Sequence, residues 1–182
     1  VFGFITWLNS VLIPYLKISC EFNNVEAFFV AGAFYIAYFF MAIPSTLLLK
    51  KIGFKNGMAA GLFIIGIGAI IFIPAALTRL YGLFLLGLFV QGAGLAILQS
   101  ASNPYVTILG PIESAAKRIS IMGIFNKVGA AIAPLILAAI TLKDADQLKI
   151  RLLKMSIAEK QSELAILAHK VIFPYIIIMV VM

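Results

Sequence analysis

Charge is what this sequence has least of. Of its 182 residues 12% are Asp, Glu, Lys or Arg, about half the roughly 25% of a soluble domain. Hydrophobic residues make up 63%, and the mean hydropathy is +1.12. A soluble globular chain is thereby excluded, and an all-α polytopic membrane protein is expected. The single cysteine, Cys20, cannot form an internal disulfide and says nothing about redox compartment. Acids are scarce as well: all seven fall in expected loops, and the one histidine, His169, sits at a membrane edge. No buried carboxylate is therefore expected to carry a proton, and no cluster to hold a transition metal. No nucleophile with a base and an orienting group is visible, so neither an enzyme nor a cofactor is expected. Gly66-Ile-Gly68 and Gly92-Ala-Gly94 lack the strand-turn-helix setting of a nucleotide fingerprint and read as helix packing. The net charge of +7 comes from bases dispersed between apolar segments, with no aromatic-interleaved basic face. Nucleic acid is thus excluded as a partner; lipid is the expected surroundings.

Apolar segments are what the sequence does have. Spans are expected at approximately 1–18, 26–49, 57–76, 80–109, 119–142 and 171–182, with 143–170 as an interfacial loop or helix carrying a capping box at Ser156-Ile-Ala-Glu159. Val1 to Ile18 lacks the basic start and small-residue cleavage site of a signal peptide. The chain opens inside one apolar segment and ends inside another, so it is expected to be a fragment. The basic stretches 50–56 and 110–118 carry five bases against one acid, Glu113, and are expected on the cytoplasmic side. The aromatics of the second span, from Phe28 to Phe40, are expected to face lipid or pack. Tyr35 and Tyr38 keep a hydroxyl within reach of a ligand.

Within this oily frame a few polar residues stand out. The fourth span contains Gln91, Gln99, Ser100, Ser102 and Asn103, and a helical period puts Gly92, Ala96, Gln99 and Asn103 on one face, the expected wall of a polar pathway. Leu8-Asn9-Ser10, then three residues, then Pro14-Tyr15, is echoed by Leu98-Gln99-Ser100, then three residues, then Pro104-Tyr105. Polar, proline-interrupted segments repeated in this way point to a transporter's binding site. In the fifth span Gly123, Asn126, Lys127, Ala130 and Pro134 share a face. At 1.5 Å per residue, Gln99 lies roughly 15 Å from the inner end of its span, Lys127 roughly 13 Å from the inner end of its own, and Asn9 and Ser10 roughly 11 Å from the outer end of theirs. All four are near the midplane. Lys127 either meets water, a carboxylate from elsewhere or a ligand, or snorkels and holds a neighbouring helix. Trp7 either lies against a ring's C–H face or serves in packing.

In this order and spacing the residues resemble the fucose/proton symporter family of the major facilitator superfamily, nearest its bacterial glucose/galactose branch. The resemblance rests on Leu8-Asn9 with Ile13-Pro14, Ala33-Phe34-Tyr35 with Tyr38-Phe39, Lys50-Lys51, Gly61-Leu62-Phe63, Phe72 with Pro74-Ala75-Ala76, and Gly87-Leu88-Phe89. Its most specific part is Leu98-Gln99, Ala101 to Thr107 and Leu109-Gly110-Pro111, with Phe125-Asn126 in the fifth span. It implies that this chain is the N-terminal six-helix half of a twelve-helix carrier in the cell inner membrane. Such a carrier binds sugar between its halves and works by alternating access, so the C-terminal half of the same polypeptide is an implied partner. In the fucose carriers an aspartate follows the asparagine of span one and a glutamate stands at the position of Gln99, both associated with proton coupling. Here those positions hold Ser10 and Gln99, which leaves protons, sodium or no ion as the coupling. Asn126 matches a sugar-contacting asparagine, whereas Gly123 stands where that carrier has a glutamine, and Lys127 matches no charged residue there.

The expected function is secondary transport of a glucose-, galactose- or fucose-like hexose. The substrate residues are Gln99, Asn126, Lys127, Asn9, Ser10, Trp7 and Asn103. The alternatives are a facilitator or channel subunit without ion coupling, or a carrier of another small polar solute.

Overall fold

The computed structural model describes residues 3–10, 22–78, 80–141, 159, 172 and 175–176. The second half of the expected first span lies outside the described residues. So do the stretch 143–170 apart from Glu159, and the sixth span apart from Ile172, Tyr175 and Ile176. Every regular element among the described residues is helical: residues 3–10 (α1), α2 (Asn24–Thr78), α3 (Tyr81–Ile108) and α4 (Ala115–Thr141), with a single 3₁₀ turn (Ile112–Ser114) before α4.

Asn23 and Glu26 start α2. The Glu26 amide donates to Asn23 Oδ1 at 2.8 Å and the Asn23 amide donates to Glu26 Oε2 at 2.8 Å, a reciprocal pair that satisfies two of the amides a helix start leaves open. The helix then runs to Thr78 with one interruption. Gly53 sits at φ 78°, ψ 169°, a conformation only glycine adopts without strain, and it divides α2 into arms 24–52 and 54–78. The expected basic loop over 50–56 thus contracts to one non-helical residue.

The pairing of the two arms with α3 gives their direction. Along the first arm, Tyr81 bonds Glu26 and Ser45 meets Ser100, so both sequences advance together. Along the second, Gly61 faces Gly94 while Gly68 faces Gly87, so numbers run oppositely. The arms are therefore antiparallel, and the Gly53 turn lies at the same end of the bundle as the α3–α4 connection. Both expected cytoplasmic stretches meet there, with Lys50, Lys51, Lys55 and Lys117 exposed.

α3 is the centre of this packing. Every residue from Gln91 to Leu98 is buried, which its small residues make possible. A Cβ placed on Gly61 would stand 2.9 Å from the Gly94 carbonyl oxygen, and one on Gly94 would stand 2.8 Å from the Gly61 carbonyl oxygen and the Ile65 amide nitrogen. The backbones meet where lipid supplies no hydrophobic drive and close van der Waals contact must hold the helices. Gly66 has nothing within 4 Å of such a Cβ and takes no part in this contact.

Aromatic rings fill the opposite end. Phe72 stacks on Tyr175 with centroids 3.8 Å apart and meets Phe84 edge-on at 5.0 Å, while Phe22 bridges Phe84 and Tyr81. Phe28, Phe29, Tyr35, Phe39 and Phe40 of the first α2 arm are exposed, and Phe34 is buried.

The end of α3 is closed by one side chain. Arg118 donates from Nε to the Val106 carbonyl at 2.9 Å and from Nη2 to the carbonyls of Thr107 and Gly110. Its Nη1 donates to the Pro111 carbonyl and the Ser114 hydroxyl. Five donors meet five acceptors, among them carbonyls that a helix C-terminus leaves without partners.

Candidate functional site: a polar cavity between four helices

The helices that converge on α3 leave a cavity of about 420 Å³. α1 contributes Gly3, Thr6 and Trp7; the first α2 arm contributes Phe34, Tyr35 and Tyr38; α3 contributes Gln99; and α4 contributes Asn126, Lys127 and Ala130. The positions on α1 follow the helical period, since residues three and four apart share a face. Gln99 emerges where α3 passes out of its buried stretch: Leu98 is 5% exposed, while Gln99 is exposed.

The wall is chemically mixed. It presents two carboxamides, an ammonium, an indole N–H, a threonine hydroxyl and two phenols around aromatic carbon. Asn126 has one of its groups engaged, because its Oδ1 accepts the Gly3 amide and so fixes α1 against α4. Its Nδ2 then remains as a donor. Among the described residues, none that lines the cavity is Asp or Glu and no group of metal-binding side chains occurs.

Four of the seven expected substrate residues, Gln99, Asn126, Lys127 and Trp7, are brought together here. Trp7 is 50% exposed and faces the cavity from α1. The other three lie elsewhere. Asn9 is only 3% exposed, and its amide is committed on both sides: Nδ2 donates to Gln91 Oε1 at 3.0 Å, and Oδ1 accepts the Tyr175 hydroxyl at 2.8 Å. Two residues along a helix is about 200° of turn, so with Trp7 toward the cavity Asn9 faces away from it. Ser10 donates to the Thr6 carbonyl at 3.1 Å and is not part of the cavity wall. Asn103 is exposed one turn beyond Gln99, also outside that wall.

Sequence reasoning left Thr6 and Gln91 unassigned. Thr6 carries a signal in its spacing of one turn from Ser10 on the Trp7 side. Gln91 carries one in being an amide in an apolar helix, yet its partner stands 82 residues away and no local pattern announces it. Gln91 is fully buried, and its Nε2 has no hydrogen-bond partner among the described residues.

Comparison with known proteins decides the family. The Major Facilitator Superfamily profile matches residues 1–143. The chain belongs to the Major Facilitator Superfamily. Within the superfamily it is 44% identical over 145 residues to a glucose/galactose transporter of Brucella abortus, covering 80% of this chain and 35% of that protein. It is 43% identical over 126 residues to the L-fucose-proton symporter of Escherichia coli, covering 69% of this chain and 29% of the symporter. A crystal structure of that symporter, FucP, in the outward conformation superposes with a TM-score of 0.81 at 36% identity, covering 98% of this chain and 45% of the solved one. The chain thus spans about a third of the length of these curated relatives. The relatives are transporters rather than enzymes, and the matched fold is helical, in keeping with the all-α reading.

Proposed function

We propose that this chain is the N-terminal transmembrane half of a secondary carrier that moves a hexose across the bacterial inner membrane by alternating access. The observation that carries the reading is the cavity. About 420 Å³ lies within the range of small-molecule sites. Its wall offers amide donors and acceptors for hydroxyl groups, with Trp7 and the Tyr35 and Tyr38 rings for the C–H faces of a sugar. The names of the Brucella and E. coli relatives support a sugar as the solute. In this reading Gln99, Asn126 and Lys127 bind the sugar directly with Trp7, whereas Asn9 acts inside the helix bundle. The C-terminal half supplies the opposite wall, and since no carboxylate lines this side among the described residues, any proton- or sodium-binding group lies outside them.

In the complete gene product, Gln99→Ala is expected to lower radiolabelled hexose uptake roughly tenfold or more, the size expected when a hydrogen-bonding site loses its polar partner. Uptake is measured in proteoliposomes with and without proton and sodium gradients, at matched protein levels. Wild-type uptake by Gln99→Ala contradicts the assignment. Counterflow of preloaded sugar separates a carrier, which shows it, from a channel, which does not.

A further inference from the structure

α1 has two faces. Ile5, Leu8 and Asn9 are buried and share one face of the helical period, while Gly3, Thr6 and Trp7 line the cavity from the nearly opposite face. A rotation that lifts Asn9 out of the bundle therefore carries Trp7 away from the cavity. Ile5 and Leu8 do not fix that rotation, because lipid gives helices no hydrophobic drive to associate and apolar contacts carry no direction. The polar contacts do. Asn9 Nδ2 donates to Gln91 Oε1 on α3 at 3.0 Å, and Asn9 Oδ1 accepts the Tyr175 hydroxyl at 2.8 Å. Both partners are themselves held: Gln91 is fully buried where α3 presses on Gly68 of the second α2 arm, and the Tyr175 ring is fully buried and stacked on Phe72.

Stability alone does not account for this chain of three groups. It is incomplete, since Gln91 Nε2 has no hydrogen-bond partner among the described residues, and a half-satisfied buried network is less stable than an apolar filling of the same shape. What the chain supplies, and leucines cannot, is a setting. Hydrogen bonds with a length and a direction accept one rotation of α1 and reject its neighbours, as a single buried asparagine fixes the register of paired helices. We propose that the chain of Gln91, Asn9 and Tyr175 sets the rotation of α1 and so aims Trp7 and Thr6 at the transported solute. Asn9 and Gln91 are then positioning residues that touch no substrate. This role rests on the transport reading and adds to it what determines the α1 side of the site.

Hexose uptake by the complete gene product in proteoliposomes gives KM and maximal rate. Iodide quenching of Trp7, in the same protein with every other tryptophan replaced by phenylalanine, reads the α1 setting without sugar. The triple variant Asn9→Leu, Gln91→Leu, Tyr175→Phe strands no polar group of the chain and is expected to keep most of the wild-type stability. Its KM is expected to rise tenfold or more with a smaller change in maximal rate, the scale for a binding group displaced by about an ångström, and its Trp7 quenching to fall. Asn9→Gln combined with Gln91→Asn exchanges the two amides at constant combined length and is expected to restore most of both. Gln91→Met, which keeps the side-chain length and removes one hydrogen bond, is expected to move both in the same direction to a smaller extent, and it decides the matter if the triple variant does not fold. Wild-type KM and quenching in the triple variant overturn the proposal. So does a raised KM with Trp7 quenching unchanged, because the chain is then only structural. Absence of hexose uptake by the wild type overturns the transport reading instead, and quenching alone then decides the α1 setting.

Discussion

Gly94→Leu is expected to abolish the folded protein. The α3 backbone at Gly94 and the second α2 arm at Gly61 approach so closely that even a Cβ at Gly94 would stand 2.8 Å from two backbone atoms, the Gly61 carbonyl oxygen and the Ile65 amide nitrogen. Backbone in the middle of a packed helix pair has no room to yield. A leucine there forces the helices apart, at a cost expected to exceed the ~3 kcal/mol upper range of ordinary overpacking. Gly61→Leu is expected to fail in the same way. Gly66→Ala is the internal control, since its Cβ meets nothing within 4 Å. Removing a helix-interior glycine at an open position is expected to leave stability unchanged or raise it by about 0.5–1 kcal/mol. Thermal unfolding in detergent, followed by a reporter of monodisperse protein, is the measurement. Equal behaviour of Gly94→Leu and Gly66→Ala would mean that the helices are not in contact here.

Asn9→Leu is expected to produce the second-largest loss. The substitution removes both hydrogen bonds of a nearly fully buried amide and strands the Tyr175 hydroxyl and the Gln91 carbonyl oxygen. Each stranded group costs about 1–2 kcal/mol, taking soluble-protein values at the low end as membrane measurements suggest, for about 2–4 kcal/mol together. Removing the whole chain of polar groups is different, because no orphan remains. The triple variant Asn9→Leu, Gln91→Leu, Tyr175→Phe is therefore expected to recover most of the loss in the same unfolding assay. Should the triple variant be less stable than Asn9→Leu alone, these groups do not act as one network.

Much of this arrangement was legible in the sequence. Long apolar segments and their polar breaks gave the helices among the described residues, because a bilayer leaves backbone groups no partner but their own helix. Gln99, Asn126 and Lys127 were readable as cavity residues for the same reason: polar side chains at that depth must face something other than lipid. The pattern could not say which. Asn9 obeys the same rule as Gln99 by facing Gln91 and Tyr175 rather than the cavity, and both partners are distant in sequence. The echo between Leu8-Asn9-Ser10 and Leu98-Gln99-Ser100 thus joins two amides with different surroundings. Arg118 was readable as a topogenic charge, but its closure of the α3 end depends on a loop geometry that charge counting does not contain. The Gly53 turn was legible only as a basic loop, since a single positive-φ glycine can reverse a chain that is helical on both sides.

The proposed transport requires that Gln99, Asn126 and Lys127 face an aqueous, sugar-accessible space rather than lipid. In the complete protein with Cys20 and every cysteine of the remaining chain replaced by serine, single cysteines at positions 99 and 126 are treated with a membrane-impermeant thiol reagent. A cysteine at Phe39, on the exposed apolar face, serves as the reference. Labelling is expected at 99 and 126, slowed by transported sugar, and none at 39. Labelling that is absent at 99 and 126, or that is equally strong at 39, contradicts that requirement.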